Sequence, residues 1–320
     1  MLDVFFTVDV EIWCDGWVDI DAKFSRAFES YILGTTPQGG FGIPFQARLL
    51  AGHGLTGVFF VEPLFSARFG AAPLQEIVGI LNEHGQEVQL HLHTEWVDEA
   101  RQPLLPAIQG KRQFLRQFSR PEQRCLLDEG RTRLAGAGAA EVNAFRAGSF
   151  GFNAETLDAL RDIGMPFDSS YNAVLMGPTS GVAPGRLLFD VHHEHGVIEY
   201  PMTVYRDGLG GYRHLQLGAC SSREIETVLW QAAETGHRAA VMLSHGFELL
   251  SPSKRRVDPV VLRRFERLCA FLDRHRDTFR TRGFRGLVPP PARAQPAPLQ
   301  GRTWQAAERN LQQLWRRRYR

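Results

Sequence analysis

Apolar, β-branched runs alternate along the chain with segments in which apolar residues recur at helical spacing. The runs predict buried strands over residues 2–10, 56–61, 87–93, 144–147, 167–170, 197–200 and 239–244. The spaced segments predict helices over residues 43–51, 74–83, 112–134 (with a break near Pro121), 153–163, 222–235 and 259–274. Strands that alternate with helices indicate a parallel α/β sheet, either doubly wound or closed into a barrel. About seven such units favour one barrel-like domain over residues 1–285.

The C-terminal part of the chain has a different pattern. Proline and alanine dominate residues 286–302, which predicts a stiff, extended linker. Residues 303–320 predict a basic amphipathic helix, because apolar residues recur at helical spacing before a run of arginines: Trp304, Ala307, Leu311, Leu314, Trp315, then Arg316, Arg317, Arg318 and Arg320. Three alternatives are open for this segment. It docks as a helix on its own domain, it contacts a membrane surface or a partner as a helix, or it is a disordered tail.

Composition excludes several classes of protein. Hydrophobic residues make up 43% of the 320 residues and charged residues 22%, as in ordinary globular proteins. A net charge of +2 predicts no nucleic-acid partner, and without a run of 18 apolar residues we expect no transmembrane helix. The first ten residues lack the basic start of a signal peptide, and the four cysteines lie far apart, so we expect a cytoplasmic protein. The only lysines are Lys23, Lys111 and Lys254, a bias that we attribute to genome composition.

Ionisable side chains collect where the predicted strands end. In parallel α/β folds these ends share one edge of the sheet. Imidazole and carboxylate groups there suit a divalent ion with one position open to water, a carboxylate that takes a proton and a histidine that gives one. Each residue alone has a structural explanation as a turn acid or a buried histidine. Together they predict a metal-dependent hydrolase. The residues expected at this edge of the sheet are Asp9, Glu11, His91, His93, Glu95, Arg146 and His245.

Five segments in order resemble the motifs of the polysaccharide deacetylase family, which is carbohydrate esterase family four with the NodB-homology domain. The resemblance covers about residues 2 to 275, and the segments containing His91 and His245 are similar to an intracellular-type branch. The matching segments are Thr7–Glu11, Glu87–His91, Arg146–Phe150 with Asn153, Ile198–Pro201 and Leu243–His245.

This resemblance implies a distorted (β/α) barrel with about seven parallel strands, a divalent metal ion, with zinc expected, and removal of N- or O-linked acetyl groups from sugars. Asp9 would be the general base and His245 the general acid. Arg146 would hold Asp9 by a bidentate pair.

The same resemblance implies the metal ligands, with one departure. Glu11 and His91 match ligand positions, but Glu95 stands where the family has its second histidine. Glu95 can bind zinc, whereas two carboxylates would also suit manganese or magnesium. His93 is the alternative ligand, and a degraded metal site is a further alternative.

Four residues are candidates for substrate contact. Trp13 and Phe150 lie next to motif residues, and aromatic faces either stack on sugar rings or fill a core. By the resemblance, Tyr200 and Pro201 would line the acetyl pocket. We therefore expect a metal-dependent deacetylase that acts on an acetylated sugar, glycoside or glycan precursor. The alternatives are a related C–N amidohydrolase on a small amide and a catalytically silent sugar-binding relative.

Overall fold

The computed structural model of the protein describes residues 1–107 and 110–316. A nine-stranded main sheet, a three-stranded sheet and a two-stranded hairpin account for the strands of this described part. In chain order the strands are β1 (Leu2–Val10), β2 (Thr35–Thr36), β3 (Gly39–Gly40), β4 (Gly57–Val61), β5 (Glu87–Leu92), β6 (Ala144–Ala147), β7 (Phe167–Asp168), β8 (His192–Glu194), β9 (Val197–Glu199), β10 (Val204–Arg206), β11 (Tyr212–His214), β12 (Ala239–His245), β13 (Phe279–Thr281) and β14 (Leu299–Gln300).

The main sheet runs in the order β12-β1-β4-β5-β6-β7-β9-β8, with β13 paired to β1. The pairs from β12 to β9 are all parallel, and only the β8–β9 pair at the far edge is antiparallel. The sheet curls through 196° into a half-barrel within a single mixed α/β domain. The predicted distorted barrel with about seven parallel strands is therefore confirmed.

Helices cover the sheet: α1 (Ile20–Phe28), α2 (Ile43–Gly52), α3 (Ser66–Phe69), α4 (Ala72–Glu83), α5 (Arg120–Gly136), α6 (Ala154–Asp162), α7 (Ser222–Glu234), α8 (Pro259–Arg274) and α9 (Thr303–Arg316). The predicted start of a helix at residue 112 is wrong. Helix α5 begins at Arg120, because Glu122 accepts hydrogen bonds from the amide and hydroxyl of Ser119 and thereby caps it. Helix α1, which the sequence analysis did not predict, lies beside the candidate site.

The two faces of the strands explain how polar groups reach one edge. Val4, Phe6 and Val8 of β1 pack in the large apolar core between the sheet and the helices. Phe5 points to the other face and packs in a smaller apolar cluster inside the curled sheet. Because side chains alternate along a strand, Thr7 and Asp9 share the inner face with Phe5. The inner face of β1 is thus apolar near its start and polar at its carboxyl end.

The C-terminal segment packs against the domain. Residues 287–298 have no regular secondary structure, and β14 then pairs in parallel with β10. Arg309 of α9 is buried, and its guanidinium contacts Glu224 of α7 and Asp207. Residues 317–320, which include three arginines of the predicted basic helix, lie outside the described residues. The division at residues 285 and 302 and the contact with a membrane surface stay predictions. No helix in the described ranges is both long enough and apolar enough to cross a membrane.

Candidate active site

Three potential metal ligands meet at the carboxyl edge of the sheet. One ligand atom from each of Glu11, His91 and His93 lies within 4.8 Å of the others. Oε2 of Glu11 is 2.5 Å from Nε2 of His93 and 3.8 Å from Nε2 of His91. The three side chains are almost shielded from solvent, with exposed fractions of 11%, 2% and 4% in that order. Two imidazoles and one carboxylate are a donor set that catalytic zinc sites use.

The tautomer of His91 leaves a ligand atom free. Its Nδ1 lies 2.8 Å from the backbone carbonyl oxygen of Arg146, and since a carbonyl can only accept, Nδ1 carries the proton. Its Nε2 is buried and has no hydrogen-bond partner in the described parts of the chain. A buried acceptor without a partner is costly, and here it faces a carboxylate across 3.8 Å. The arrangement fits a metal ligand whose orientation is fixed by a carbonyl.

The structure brings His93 to the ligand position and places Glu95 behind it. Nδ1 of His93 lies 3.4 Å from Oε2 of Glu95, on the side of the ring away from Glu11. The geometry therefore favours the alternative ligand, His93, over Glu95, and the ligand set stays a prediction. The reason is local: β5 ends at Leu92, His93 continues the extended backbone, and Thr94–Glu99 then turns into a 3-10 helix. His91 and His93 consequently share one face, as alternate residues of a strand do.

The backbone directly after β6 approaches His93 closely because the residue there, Gly148, has no side chain. A Cβ atom at Gly148 would lie 2.9 Å from Nδ1 of His93 and 2.5 Å from the carbonyl oxygen of Leu92. Any larger residue at this position would displace the histidine or the strand end. Gly148 is thus a further residue on which the geometry of the site depends.

Glu11 and His93 form a buried ion pair. Burial alone would lower the pKa of His93, but the neighbouring carboxylates of Glu11 and Glu95 raise it to about 10. Burial would raise the pKa of Glu11, yet His93 and His91 hold it well below its usual range. A cation that binds both side chains must therefore displace the proton of His93, which makes its binding dependent on pH.

Arg146 of β6 holds the carboxylate of Asp9 through a hydrogen bond. Nη1 of Arg146 donates to Oδ1 of Asp9 at 2.6 Å and to Oγ1 of Thr7 at 2.8 Å. The other guanidinium nitrogens donate to the carbonyl oxygen and the hydroxyl of Ser169. The bidentate pair that the resemblance implied is therefore wrong, because Ser169 and Thr7 occupy the rest of the fork. Arg146 is wholly buried and binds Asp9 through one nitrogen.

His245 is held by a carboxylate three residues later. Nδ1 of His245 lies 2.7 Å from Oε2 of Glu248, which also accepts from the amide of Gln216. Burial would lower the pKa of His245, but Glu248, with Glu11 and Asp9 further away, raises it to about 9. A histidine in this setting carries a proton near neutral pH, as a general acid requires.

The sequence analysis missed two acids of this region, the buried Glu62 and the partly buried Glu248. Glu248 lies in a turn, and nothing in its local pattern distinguishes it. Glu62 directly follows β4, and that position at the carboxyl edge could have identified it. Its carboxyl oxygens accept from the amides of Leu64 and Phe65, and burial raises its pKa to about 8.

The residues predicted to contact the substrate lie at different distances from the candidate site. The ring of Trp13 lies edge-on to His93, with the ring centres 4.7 Å apart. Phe150 packs in the inner apolar cluster, and Pro201 is buried. The structure does not bring Tyr200 to Glu11, His91 or His93. Its ring packs against Phe5, 5.1 Å away, and its side chain lines a cavity at the opposite end of the strands with Met1 and Asp3. The expectation that Tyr200 lines an acetyl pocket is thus not matched, because its ring fills the apolar base of the barrel.

Comparisons with known proteins give a match in fold. The crystal structure named "putative polysaccharide deacetylase from Mycobacterium smegmatis" matches with a TM-score of 0.56 and 17% sequence identity, over 92% of this chain and 94% of that one. A family 4 carbohydrate esterase from Streptomyces lividans in complex with acetate has a TM-score of 0.43 and 13% identity, over 88% of this chain and 90% of that one. No family model matches the sequence, and no curated protein matches it. The first similarity shows that this chain has the fold of that mycobacterial protein.

Proposed function

We propose that this protein is a metal-dependent hydrolase that removes an N- or O-linked acetyl group from a sugar, glycoside or glycan precursor. One observation carries the proposal: the Glu11–His91–His93 group shares an edge of the sheet with the Asp9–Arg146 pair and the His245–Glu248 pair. The fold shared with the mycobacterial protein named as a polysaccharide deacetylase supports it.

The donor set favours zinc as the ion. With His93 as ligand in place of Glu95, the group offers two imidazoles and only one carboxylate. Imidazole suits zinc, whereas sites for magnesium and manganese are richer in oxygen ligands. When bound, the ion would supply Lewis acidity for the acetyl carbonyl and a water nucleophile near neutral pH.

Asp9 is the side chain that takes the proton of the attacking water. Arg146 binds its Oδ1, so Oδ2 is the oxygen that can accept this proton. Arg146 makes four hydrogen bonds and lies with its guanidinium carbon 4.3 Å from the ring centre of Phe60, which fixes the direction of the carboxylate. A general base must be within hydrogen-bond reach of its proton, and this rigid contact sets that position.

His245 is the side chain that returns a proton to the leaving group. Glu248 accepts from Nδ1, which leaves the Nε2 proton for the nitrogen or oxygen of the sugar. When the tetrahedral intermediate collapses, the bond between the acetyl carbon and this atom breaks, acetate leaves, and the sugar takes the proton. Free amine or hydroxyl and acetate are the products.

Acetate release tests the proposal directly. The full-length protein, loaded with zinc, is incubated with N-acetylglucosamine oligomers and with O-acetylated sugars, and acetate is quantified before and after treatment with a chelator. We expect acetate only from the loaded protein, with recovery when zinc is restored. Hydrolysis of small amides without release of acetate from any sugar would favour the amidohydrolase. Sugar binding without turnover by the loaded protein would favour the silent relative.

A further inference from the structure

A cavity of about 660 Å³ adjoins the candidate site. Trp13, whose ring touches that of His93, forms part of its wall, together with Tyr31 and Lys254. The ammonium of Lys254 lies 4.2 Å from the ring centre of Tyr31 and 5.1 Å from that of Phe247, which stacks on His245. The cavity therefore lies next to the candidate site, since Trp13 of its wall contacts His93 and Lys254 of its wall contacts the ring that stacks on His245. It is large enough for a sugar with a substituent.

Cations dominate the lining of this cavity. Helix α1 contributes Lys23 and Arg26, and the loop after β12 contributes Lys254, Arg255 and Arg256, whereas Asp15 is the acid among the lining residues. Across residues 1–107 and 110–316, no carboxylate oxygen lies within 4.0 Å of the charged nitrogens of Lys23, Arg26, Lys254 or Arg255.

Arginines elsewhere on the surface differ from these cations because they bind carboxylates. Arg68, Arg120 and Arg267 each bind a carboxylate at 2.6 to 2.8 Å. Two of the three lysines of the chain line the cavity, although it is formed by segments about 230 residues apart in sequence. Like charges gathered in one cleft repel one another, and they focus a positive potential that attracts an anion.

We propose that the acetylated substrate carries an anionic group, a phosphoryl or a carboxylate, and that this cavity binds it while the acetyl group reaches Glu11, His91 and His93. This inference rests on the proposed deacetylase function. A neutral sugar would need hydrogen-bond partners and aromatic faces, but it would not need Lys23, Arg26, Lys254 and Arg255, which have no carboxylate within 4.0 Å in the described parts of the chain. Several cations around one cavity match a phosphoryl group better than a single carboxylate, since the phosphoryl carries more charge and more acceptor oxygens.

Sugars that differ only in their anionic group distinguish recognition of the charge from recognition of the sugar ring. The zinc-loaded, full-length protein is assayed for acetate release from N-acetylglucosamine 1-phosphate, from the corresponding uronic acid and from neutral N-acetylglucosamine. We expect kcat/KM to be at least about tenfold higher for the phosphate than for the neutral sugar, with most of the difference in KM and with an advantage that shrinks as NaCl is raised. A higher value for the uronic acid than for the phosphate would identify a carboxylate as the anion.

Substitutions of a cavity arginine test whether the anionic group binds in this cavity. Arg255→Gln should reduce the ratio of kcat/KM between phosphate and neutral sugar about fivefold, and Arg255→Lys should restore most of it. Arg124→Gln, on the exposed face of α5, is the control and should leave the ratio unchanged. Equal kcat/KM for charged and neutral sugars, or equal ratios in all three variants, would overturn the inference.

Calorimetry keeps this test independent of turnover. If no sugar releases acetate, the proposed function fails, and titration of the same three sugars still decides whether the cavity prefers an anion. A lower Kd for the phosphate that is lost in Arg255→Gln would support the anion site alone. Equal affinities for the charged and the neutral sugar would overturn it.

Discussion

Asp9 and His245 are backbone partners in the adjacent parallel strands β1 and β12. Their side chains therefore leave the sheet side by side at its carboxyl edge. Each is matched with a group of opposite charge, Asp9 with Arg146 and His245 with Glu248. A carboxylate that faces a cation and an imidazole that faces an anion are suited to opposite roles in proton transfer, base and acid.

Replacing Asp9 by asparagine should abolish turnover. The change keeps the size of the side chain and a hydrogen bond to Arg146 but removes the proton acceptor. We expect kcat for acetate release to fall by about 10²–10⁴-fold. The loss of charge also leaves Arg146 buried without its counter-ion, which destabilises the fold. Circular dichroism and a thermal unfolding curve must therefore show that the variant is folded at the assay temperature. Asp277→Asn, at an exposed turn, is the matched control. Unchanged turnover in zinc-loaded Asp9→Asn would remove Asp9 from the role of base.

Replacing Glu248 by glutamine should move the alkaline limb of the pH profile. Glu248 is the main group that raises the pKa of His245 to about 9 against the effect of burial, and a general acid must be protonated to act. Without this carboxylate the pKa of His245 falls, by about 1–3 units for the loss of an adjacent opposite charge. Activity should therefore decline at lower pH than in the wild type, as measured by kcat/KM from pH 5 to 10. Glu83→Gln, on the exposed side of α4, is the control, and a limb that stays in place would exclude His245 as the acid.

Replacing Glu199 by glutamine should make stability less dependent on pH. Glu199 and Asp168 are register partners in β9 and β7, and burial together with the charge of Asp168 raises the pKa of Glu199 well above its ordinary value. The unfolded chain then loses this proton at a lower pH than the folded chain, so the free energy of unfolding falls as pH rises above the ordinary range of glutamate. Oε1 of Glu199 accepts from the amide of Tyr171, and an amide can keep this bond.

Urea unfolding at pH 5, 6.5 and 8 measures the effect of Glu199→Gln. We expect the variant to lose less stability than the wild type between pH 5 and pH 8, because it lacks the carboxyl group whose pKa is higher in the folded chain than in the unfolded chain. Glu76→Gln, exposed on α4, should retain the wild-type dependence. Equal pH slopes for Glu199→Gln and the wild type would show that Glu199 titrates alike in the folded and unfolded chains.

Replacing Arg309 by alanine should destabilise the whole domain. Its guanidinium is buried between α9 and α7 and contacts the buried carboxylate of Glu224. Truncation leaves that carboxylate without its partner, which typically costs about 3–5 kcal/mol. Urea unfolding measures the loss, and Arg302→Ala, which is exposed at the start of the same segment, should change the free energy by less than about 0.5 kcal/mol. A wild-type curve for Arg309→Ala would mean that α9 is not part of the folded unit.

Hydrophobic pattern was sufficient to predict the parts of the fold that hold the site. Strands β1 and β12 are nearly continuous apolar runs, as strands buried on both faces must be, and their polar ends identified Asp9, Glu11 and His245. The sequence also identified His91 as a candidate ligand and His93 as the alternative to Glu95. The choice between His93 and Glu95 depended on where β5 ends, and strand ends are the least certain feature of a sequence pattern.

Contacts between distant segments could not be predicted from the sequence. Thr7 and Ser169 share the guanidinium of Arg146 from two other strands, and nothing local reveals this competition for its donors. Lys23 and Lys254 meet at one cavity because α1 lies beside the loop after β12, and α1 itself was not predicted. Tyr200 lies within a motif-like segment, but its ring fills the inner apolar cluster, where it packs against Phe5 and Phe284.

The metal content of the protein shows whether Glu11, His91 and His93 hold an ion. Elemental analysis of the purified, zinc-reconstituted protein is compared with that of His91→Ala, His93→Ala and Glu95→Gln. We predict close to one zinc ion per chain in the wild type and in Glu95→Gln, the latter with an affinity lowered about 10–100-fold, as expected when the partner of a ligand is lost. His91→Ala and His93→Ala should lose the ion while keeping the fold. A wild-type protein that takes up no divalent ion after reconstitution, or zinc retained when both histidines are replaced, would show that Glu11, His91 and His93 do not form a metal site.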